Sequence, residues 1–81
     1  MDPNKKYLVV SDAVGAAGME LRKTASNSAV SQMHLTPGML LIVIEPYAKA
    51  KGKLDQQNQW IYVRGPNKKL GYVLSQFVKL P

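Results

Sequence analysis

The sequence has 81 residues, 46% of them hydrophobic, and carries a formal net charge of +6. Its length excludes a second domain, its lack of cysteine excludes a disulfide framework and a cysteine nucleophile, and its longest apolar run, residues 39–44, is far shorter than the roughly 20 residues of a membrane-spanning helix. The positive charge favours an anionic partner such as nucleic acid, an acidic wall polymer or a membrane surface, unless the lysines only keep a small domain soluble.

The N-terminal half begins without an export signal, because residues 1–6 lead into no long apolar segment. We interpret these residues as a disordered or artificially added N-terminus and residues 7–81 as the domain. Aromatic and β-branched residues predict the first strand at 7–10. A flexible connector with two glycines follows at 14–18, and alternation of polar and apolar residues predicts a short strand at 19–24.

The middle of the chain contains the segment that we expect to be the core strand. Extended structure at 30–35 leads to Pro37 and Gly38, whose order fits a type II turn. Residues 39–44 are apolar on both faces, which predicts a central strand covered on both sides. The polar, basic residues 47–59 are interpreted as a surface loop, because a proline ends the strand before them.

The C-terminal part alternates strongly at 59–64, which predicts a strand with Ile61 and Val63 on its inner face. The remaining elements are a hairpin loop at 65–69, a partner strand at 70–74, a single short 3-10 turn at 75–77 and a brief closing strand at 78–80. Short strands with these connections predict an all-β fold, a small barrel of five to six strands that is closed or nearly closed.

Several short motifs occur in a fixed order along the chain. They are Leu-Arg at 21–22, a serine-rich turn at 26–28, Leu-Thr-Pro-Gly at 35–38, Val-Ile-Glu at 43–45, Trp-Ile-Tyr-Val at 60–63 and Gly-Tyr-Val at 71–73. In this order and spacing they resemble the bacterial SH3-like (SH3b) domain family over roughly residues 7–80. The connector at 14–18 lengthens the approach to Leu-Arg at 21–22, and the loop at 46–58 is longer than in the shortest members.

The resemblance implies an SH3-like barrel that serves as an accessory domain of a larger exported protein, outside the cytoplasm or at the cell surface. In several relatives the domain binds peptidoglycan or its peptide bridges. The resemblance therefore implies a cell-wall peptide or glycan, or a peptide segment of another protein, as the partner. Fold transfers between relatives better than function.

Catalytic and metal-binding patterns are missing from the sequence. His34 is the only histidine and has no cysteine or carboxylate at ligand spacing. The five carboxylates are scattered, and no serine lies in a nucleophile elbow. We predict a monomeric protein without catalytic residues, metal or cofactor.

Aromatic and basic residues are concentrated in the second half of the chain. If Ile61 and Val63 face the core, the neighbouring aromatic side chains face outward, where they suit peptide or sugar ligands. Packing of Trp60 at the barrel end is the alternative, and the lysines of residues 47–59 are either solvated or arranged around a ligand. The predicted ligand-binding residues are Tyr47, Trp60, Tyr62, Arg64, Lys68, Lys69 and Tyr72.

Three functions remain open at this point. A wall-binding module would hold an anionic peptide or glycan in a groove lined by the aromatic residues. A nucleic-acid-binding barrel is the second possibility, because aromatic and basic residues interleave on one strand and the net charge is +6. A protein adaptor that takes up a peptide segment, through the groove or a sheet edge, is the third.

Overall fold

The computed structural model describes residues 6–15 and 17–81. Within these residues it contains seven strands, one α-helix and two 3-10 turns, the latter at Asp12–Val14 and Ser75–Phe77. The strands and the helix are β1 (Tyr7–Val10), β2 (Met19–Arg22), β3 (Ser31–Leu35), β4 (Leu40–Val43), α1 (Tyr47–Lys53), β5 (Trp60–Arg64), β6 (Leu70–Leu74) and β7 (Val78–Lys79). The prediction for residues 1–6 lies outside the described residues except for Lys6.

All strands belong to one antiparallel sheet with the order β3-β2-β6-β5-β4-β1-β7. The longest pairing joins β5 to β6, from Trp60 opposite Leu74 to Arg64 opposite Leu70. By contrast, β2 pairs with β6 only through Arg22 and Tyr72. The two strands are therefore not paired beyond Arg22 and Tyr72. A pocket described below opens at this place.

The all-β class predicted from the sequence is confirmed, but the barrel of five to six strands is wrong. The sheet has seven strands and is not closed, because β3 and β7 lie at its two edges without pairing to each other in the described part of the chain. Closure depends on pairing between strands that are far apart in sequence, and the local patterns used for the prediction carry no information about it. The predicted 3-10 turn near the C-terminus is present, and Asp12–Val14 adds a second one.

One hydrophobic core lies on the inner face of the sheet. Each strand and the helix contribute at least one buried side chain, so the sheet curves around a single cluster. The buried residues are Leu8, Val10, Leu21, Leu35, Leu41, Ala50, Ile61, Val63, Val73 and Val78. Burial of Ile61 and Val63 is the outcome that the alternation at 59–64 predicts.

The predicted type II turn is present before β4. Met39 N donates to Thr36 O at 3.3 Å, and Gly38 takes a φ of +91°, which is the position where this turn requires a residue that tolerates positive φ.

Strand β4 differs from its prediction on one face. Leu41 is buried, whereas Leu40 and Ile44, just beyond the strand end, are each more than 40% exposed on the other side. The outer face of β4 is therefore not covered by a second layer in residues 6–15 and 17–81. Two apolar residues of this outer face, Leu40 and Ile42, line a pocket that is described below.

The surface loop predicted at 47–59 is wrong in its first half, where α1 occupies Tyr47–Lys53. Pro46 precedes the first helical residue with a φ of −53°, and the alanines and lysines that follow have high helix propensity. Ala50 is fully buried and packs the helix on the core. The basic composition of the segment gave little sign of a helix, because Ala50 is the only one of its residues that is buried.

A partly buried ion pair fixes α1 to β5. Lys53 Nζ lies 3.0 Å from Glu45 Oε2 and donates to the carbonyl oxygen of Trp60 at 2.6 Å. The other carboxylate oxygen of Glu45, Oε1, accepts from Tyr62 N at 2.7 Å. Two residues of β5 are thus held through one carboxylate and one ammonium group.

Candidate binding site

The outer face of β5 presents three half-buried side chains, Trp60, Tyr62 and Arg64, which alternate with the buried Ile61 and Val63. Side chains two residues apart lie on the same face of a strand, and a residue adds about 3.3 Å to its length. Trp60 and Arg64 therefore stand about 13 Å apart on a rigid strand. Burial of Ile61 and Val63 holds the strand in place and so fixes the spacing of the outward side chains.

An aromatic pair lies in the middle of this face. Tyr62 is directly opposite Tyr72 of β6, and the ring centroids are 4.9 Å apart with the planes at 42°. Arg22 continues the row on β2, opposite Tyr72. Aromatic pairs in such tilted arrangements stabilise each other beyond the area they bury, so the two rings form a firm, partly exposed floor.

A first pocket of about 300 Å³ opens at the Trp60 end of this floor. It forms where β2 and β6 separate beyond the pair Arg22 and Tyr72. Trp60, Leu74 and Phe77 give it apolar surface, and polar groups come from β2, β3 and the turn between them. The complete lining is Ala17, Gly18, Met19, Glu20, Arg22, Asn27, His34, Trp60, Leu74 and Phe77.

The polar wall of the first pocket is organised around Glu20. Ser31 Oγ donates to Glu20 Oε2 at 2.6 Å, and His34 Nδ1 lies 3.2 Å from Glu20 Oε1. The hydrogen bond from Ser31 and then the one from His34 lower the pKa of Glu20 below its ordinary value of 4.5. The carboxylate is therefore charged at neutral pH and already partnered by groups of the neighbouring strand.

The backbone at the rim of the first pocket depends on Gly18. Its φ is +74°, and a Cβ at this position would collide with the carbonyl oxygen of Leu35 and come within 2.9 Å of the His34 ring. Only glycine lets the chain pass this close to β3.

A second pocket of about 560 Å³ lies at the Arg64 end. Its surface is mainly apolar, and its charged side chains are Arg64 and Lys68. The residues that line it are Tyr7, Gly38, Met39, Leu40, Ile42, Arg64, Gly65, Pro66 and Lys68.

Five of the seven residues predicted to bind a ligand lie along one continuous surface. Trp60 lines the first pocket, Tyr62 and Tyr72 form the floor, and Arg64 and Lys68 line the second pocket. This surface, from the first pocket over the tyrosine pair to the second pocket, is called the outer groove below. Whether these residues contact a ligand stays a prediction.

The remaining two predicted residues are separated from the outer groove. Tyr47 begins α1, where the Nζ atoms of Lys6 and Lys51 lie 5.5 Å and 5.8 Å from its ring centroid. Lys69 is exposed in the hairpin loop and lines neither pocket. Among the lysines of residues 47–59, Lys53 is used internally in the ion pair with Glu45, so it is not available to hold a ligand in this conformation.

Sequence reasoning missed the polar half of the first pocket. Glu20 and Arg22 flank Leu21, the one buried residue of β2, and this alternation of residue types indicates the outer face. No local signal placed His34 and Asn27 beside Trp60, because they meet only through the pairing of β2 with β3 and β6. His34 has no carboxylate at ligand spacing along the chain, but the pairing of β2 with β3 places Glu20 opposite it.

Two further features concern ligands of other kinds. In residues 6–15 and 17–81 the structure contains no group of three or more His, Asp or Glu side chains arranged to hold a metal ion. No helix in the same part of the chain is both long enough and apolar enough to cross a membrane.

Comparison of the chain with protein-family models, curated proteins and solved structures finds no match.

Proposed function

We propose that this chain is a non-catalytic binding module of the bacterial SH3-like type that holds a cell-wall peptide or glycan in the outer groove. The observation that carries the proposal is the alignment of two pockets and an aromatic floor on one face of β5 and β6. Such a surface suits an elongated ligand with alternating apolar and polar groups. In this proposal the module acts at the cell surface as part of a larger protein.

The chemistry of the first pocket supports a ligand rich in amide or hydroxyl groups. Trp60 offers an apolar face with a polar edge. The Asn27 amide donates and accepts hydrogen bonds, and the Arg22 guanidinium donates several. Arg22 already donates one bond to the Ala29 carbonyl at 3.0 Å, which holds the guanidinium in place.

The arrangement around Glu20 favours binding over catalysis. The Ser31 hydroxyl and the His34 imidazole both contact the carboxylate, and within the described residues no hydrogen bond joins the hydroxyl to the imidazole. Activation of a serine needs a base in hydrogen-bond contact with its hydroxyl, and a carboxylate with a lowered pKa is a weak base.

Co-sedimentation with isolated peptidoglycan tests the proposal at low and near-physiological salt, with single-stranded nucleic acid as a competitor. We expect retention that survives salt, and a loss of roughly thirtyfold or more in affinity for Trp60→Ala, because truncating an aromatic anchor costs about 2 kcal/mol or more. Trp60 is the only tryptophan, so its fluorescence also reports ligand entry directly.

Two variants control for effects on folding. Trp60→Phe keeps an aromatic ring in the pocket and should retain most of the binding. Val30→Ala removes an apolar side chain that is 68% exposed outside both pockets and should leave binding unchanged. Retention that disappears with salt or transfers to nucleic acid would refute the wall proposal in favour of electrostatic binding to a polyanion.

A further inference from the structure

The second pocket combines an apolar floor with two cations. Leu40, Ile42 and Met39 provide the floor, and none of its lining residues carries a carboxylate. Within residues 6–15 and 17–81 neither Arg64 nor Lys68 forms an ion pair with the protein. A ligand that fits this pocket therefore joins an anionic group to an apolar one.

The backbone that carries Lys68 adds a second observation. Gly65 and Lys68 close a turn with proline in its second position, since Lys68 N donates to Gly65 O at 2.9 Å. Lys68 itself has a φ of +69°, in a place where three-residue hairpins usually have glycine. Residues held in this left-handed region without being glycine concentrate at functional sites, and here the strained residue lines the second pocket.

We propose that the second pocket binds the free C-terminal carboxylate of a linear peptide whose last residue has an aliphatic side chain. The Arg64 guanidinium has a fork of donors that matches a carboxylate, and Lys68 adds a mobile point charge. The aliphatic side chain covers Leu40, which is 41% exposed. The inference rests on the proposed peptide-binding function and defines the direction in which the peptide lies.

Alternative anions fit the pocket less well. Inorganic phosphate matches the two cations but leaves the apolar floor uncovered. A fatty acid covers the floor, but its hydrocarbon chain cannot form hydrogen bonds with the hydroxyl groups of Tyr62 and Tyr72 farther along the groove. A peptide continues from its carboxylate over these rings with amide groups that hydrogen-bond to hydroxyls.

Nuclear magnetic resonance titration of the ¹⁵N-labelled chain tests the inference, because each residue reports separately. The probes are N-acetyl-tetraalanine with a free carboxylate and the same peptide as its C-terminal amide. We expect the free acid to shift the amide signals of Gly65 and Lys68, and the amide to bind roughly tenfold more weakly or worse, because a hydrogen bond to a charged group is lost.

Variants separate the pocket from the net charge. Arg64→Gln and Lys68→Gln should each weaken binding of the free acid several-fold. Lys49→Gln removes the same charge from an exposed position on α1 and should change nothing. Melting curves of all variants show whether they are folded. If Arg64→Gln does not fold, Lys68→Gln still tests the pocket.

Several outcomes would overturn the inference. They are equal binding of acid and amide, shifts confined to the first pocket, no binding in the millimolar range, and tighter binding of octanoate or inorganic phosphate than of the peptide. These failures are distinguishable from failure of the proposed function, because the loss of peptidoglycan sedimentation on Trp60→Ala and the Trp60 indole signal both report on the first pocket. Wall binding that depends on Trp60 with no carboxylate preference would leave the proposed function intact.

Discussion

Replacing Glu45 with alanine should destabilise the protein and loosen β5, the strand on which the outer groove is built. The side chains of Glu45 and Lys53 are only 12% and 21% exposed, so this pair lies between surface and buried ion pairs. Removing one member of a fully buried pair costs about 3 to 5 kcal/mol, and an exposed pair contributes at most about 1 kcal/mol. We expect Glu45→Ala to lower the free energy of unfolding by about 2 to 3 kcal/mol.

Two interactions make up this loss. Tyr62 N loses its acceptor on Glu45 Oε1 at 2.7 Å, and Lys53 loses its counter-ion while its Nζ still donates to the Trp60 carbonyl. For a domain of this size, the expected change corresponds to a melting temperature lowered by roughly 10 to 20 °C. Urea unfolding followed by circular dichroism measures the free energy, and Trp60 fluorescence follows β5 in the same samples.

A double-mutant cycle of Glu45→Gln and Lys53→Met isolates the ion pair, because glutamine still offers Tyr62 N an acceptor. We expect a coupling energy of about 1 to 2 kcal/mol. Lys49→Met is the matched control on the same helix and should shift stability by less than about 0.5 kcal/mol. A coupling energy near zero would refute the view that this pair fixes α1 to β5.

Two further perturbations test the rim and the wall of the first pocket. Gly18→Ala should destabilise the protein by about 3 kcal/mol or more, because its Cβ would collide with the Leu35 carbonyl and its φ is +74°. Gly38→Ala, where φ is also positive at +91° but the space around the Cβ is open, should cost only about 1 to 2 kcal/mol, and equal losses in thermal melts would contradict the close approach. Glu20 has a pKa below its ordinary value of 4.5 in the folded protein, so its contribution to stability is present above that value and is lost as the pH falls below it. Glu20→Gln should therefore make the free energy of unfolding depend less steeply on pH in the acid range. An unchanged pH dependence would contradict the hydrogen bond from Ser31.

The strands were predictable because each carries a local signal. β5 alternates buried and outward residues, and the alternation of residue types at 59–64 is enough to predict which side chains are buried. The helix α1 gave a weaker signal, since Ala50 is its only buried residue and the lysines around it suit a loop equally well. The sequence carried no local signal that the sheet is not closed, because the pairings of β1 with β7 and of β2 with β6 join distant parts of the chain.

The same difference between local patterns and long-range pairing explains which residues of the site could be predicted. Trp60, Tyr62 and Arg64 were predicted to share a face because one strand fixes their alternation. Tyr47 was predicted to bind the ligand from a surface loop, but the segment is helical and its ring lies near Lys51 instead. The polar wall around Glu20 depends on register between β2 and β3, which single-strand patterns do not encode.

The geometry of β5 also constrains the length of the ligand. The pockets are anchored by Trp60 and Arg64, about 13 Å apart on a strand that the core holds rigid. An extended peptide advances about 3.3 to 3.6 Å per residue, so it reaches both pockets only with about four residues or more. Once one end is bound, binding of the other end becomes intramolecular and strengthens the complex without new contacts.

Affinity should therefore rise steeply between acetylated peptide acids of three and five residues and level off beyond that. The Trp60 fluorescence change should appear at the same length, while the Gly65 amide responds to shorter peptides as well. A steady increase of affinity with every added residue, or a fluorescence response to dipeptides, would mean that the two pockets act separately. In that case the tyrosine floor between them would be a packing feature of the sheet and not part of a groove.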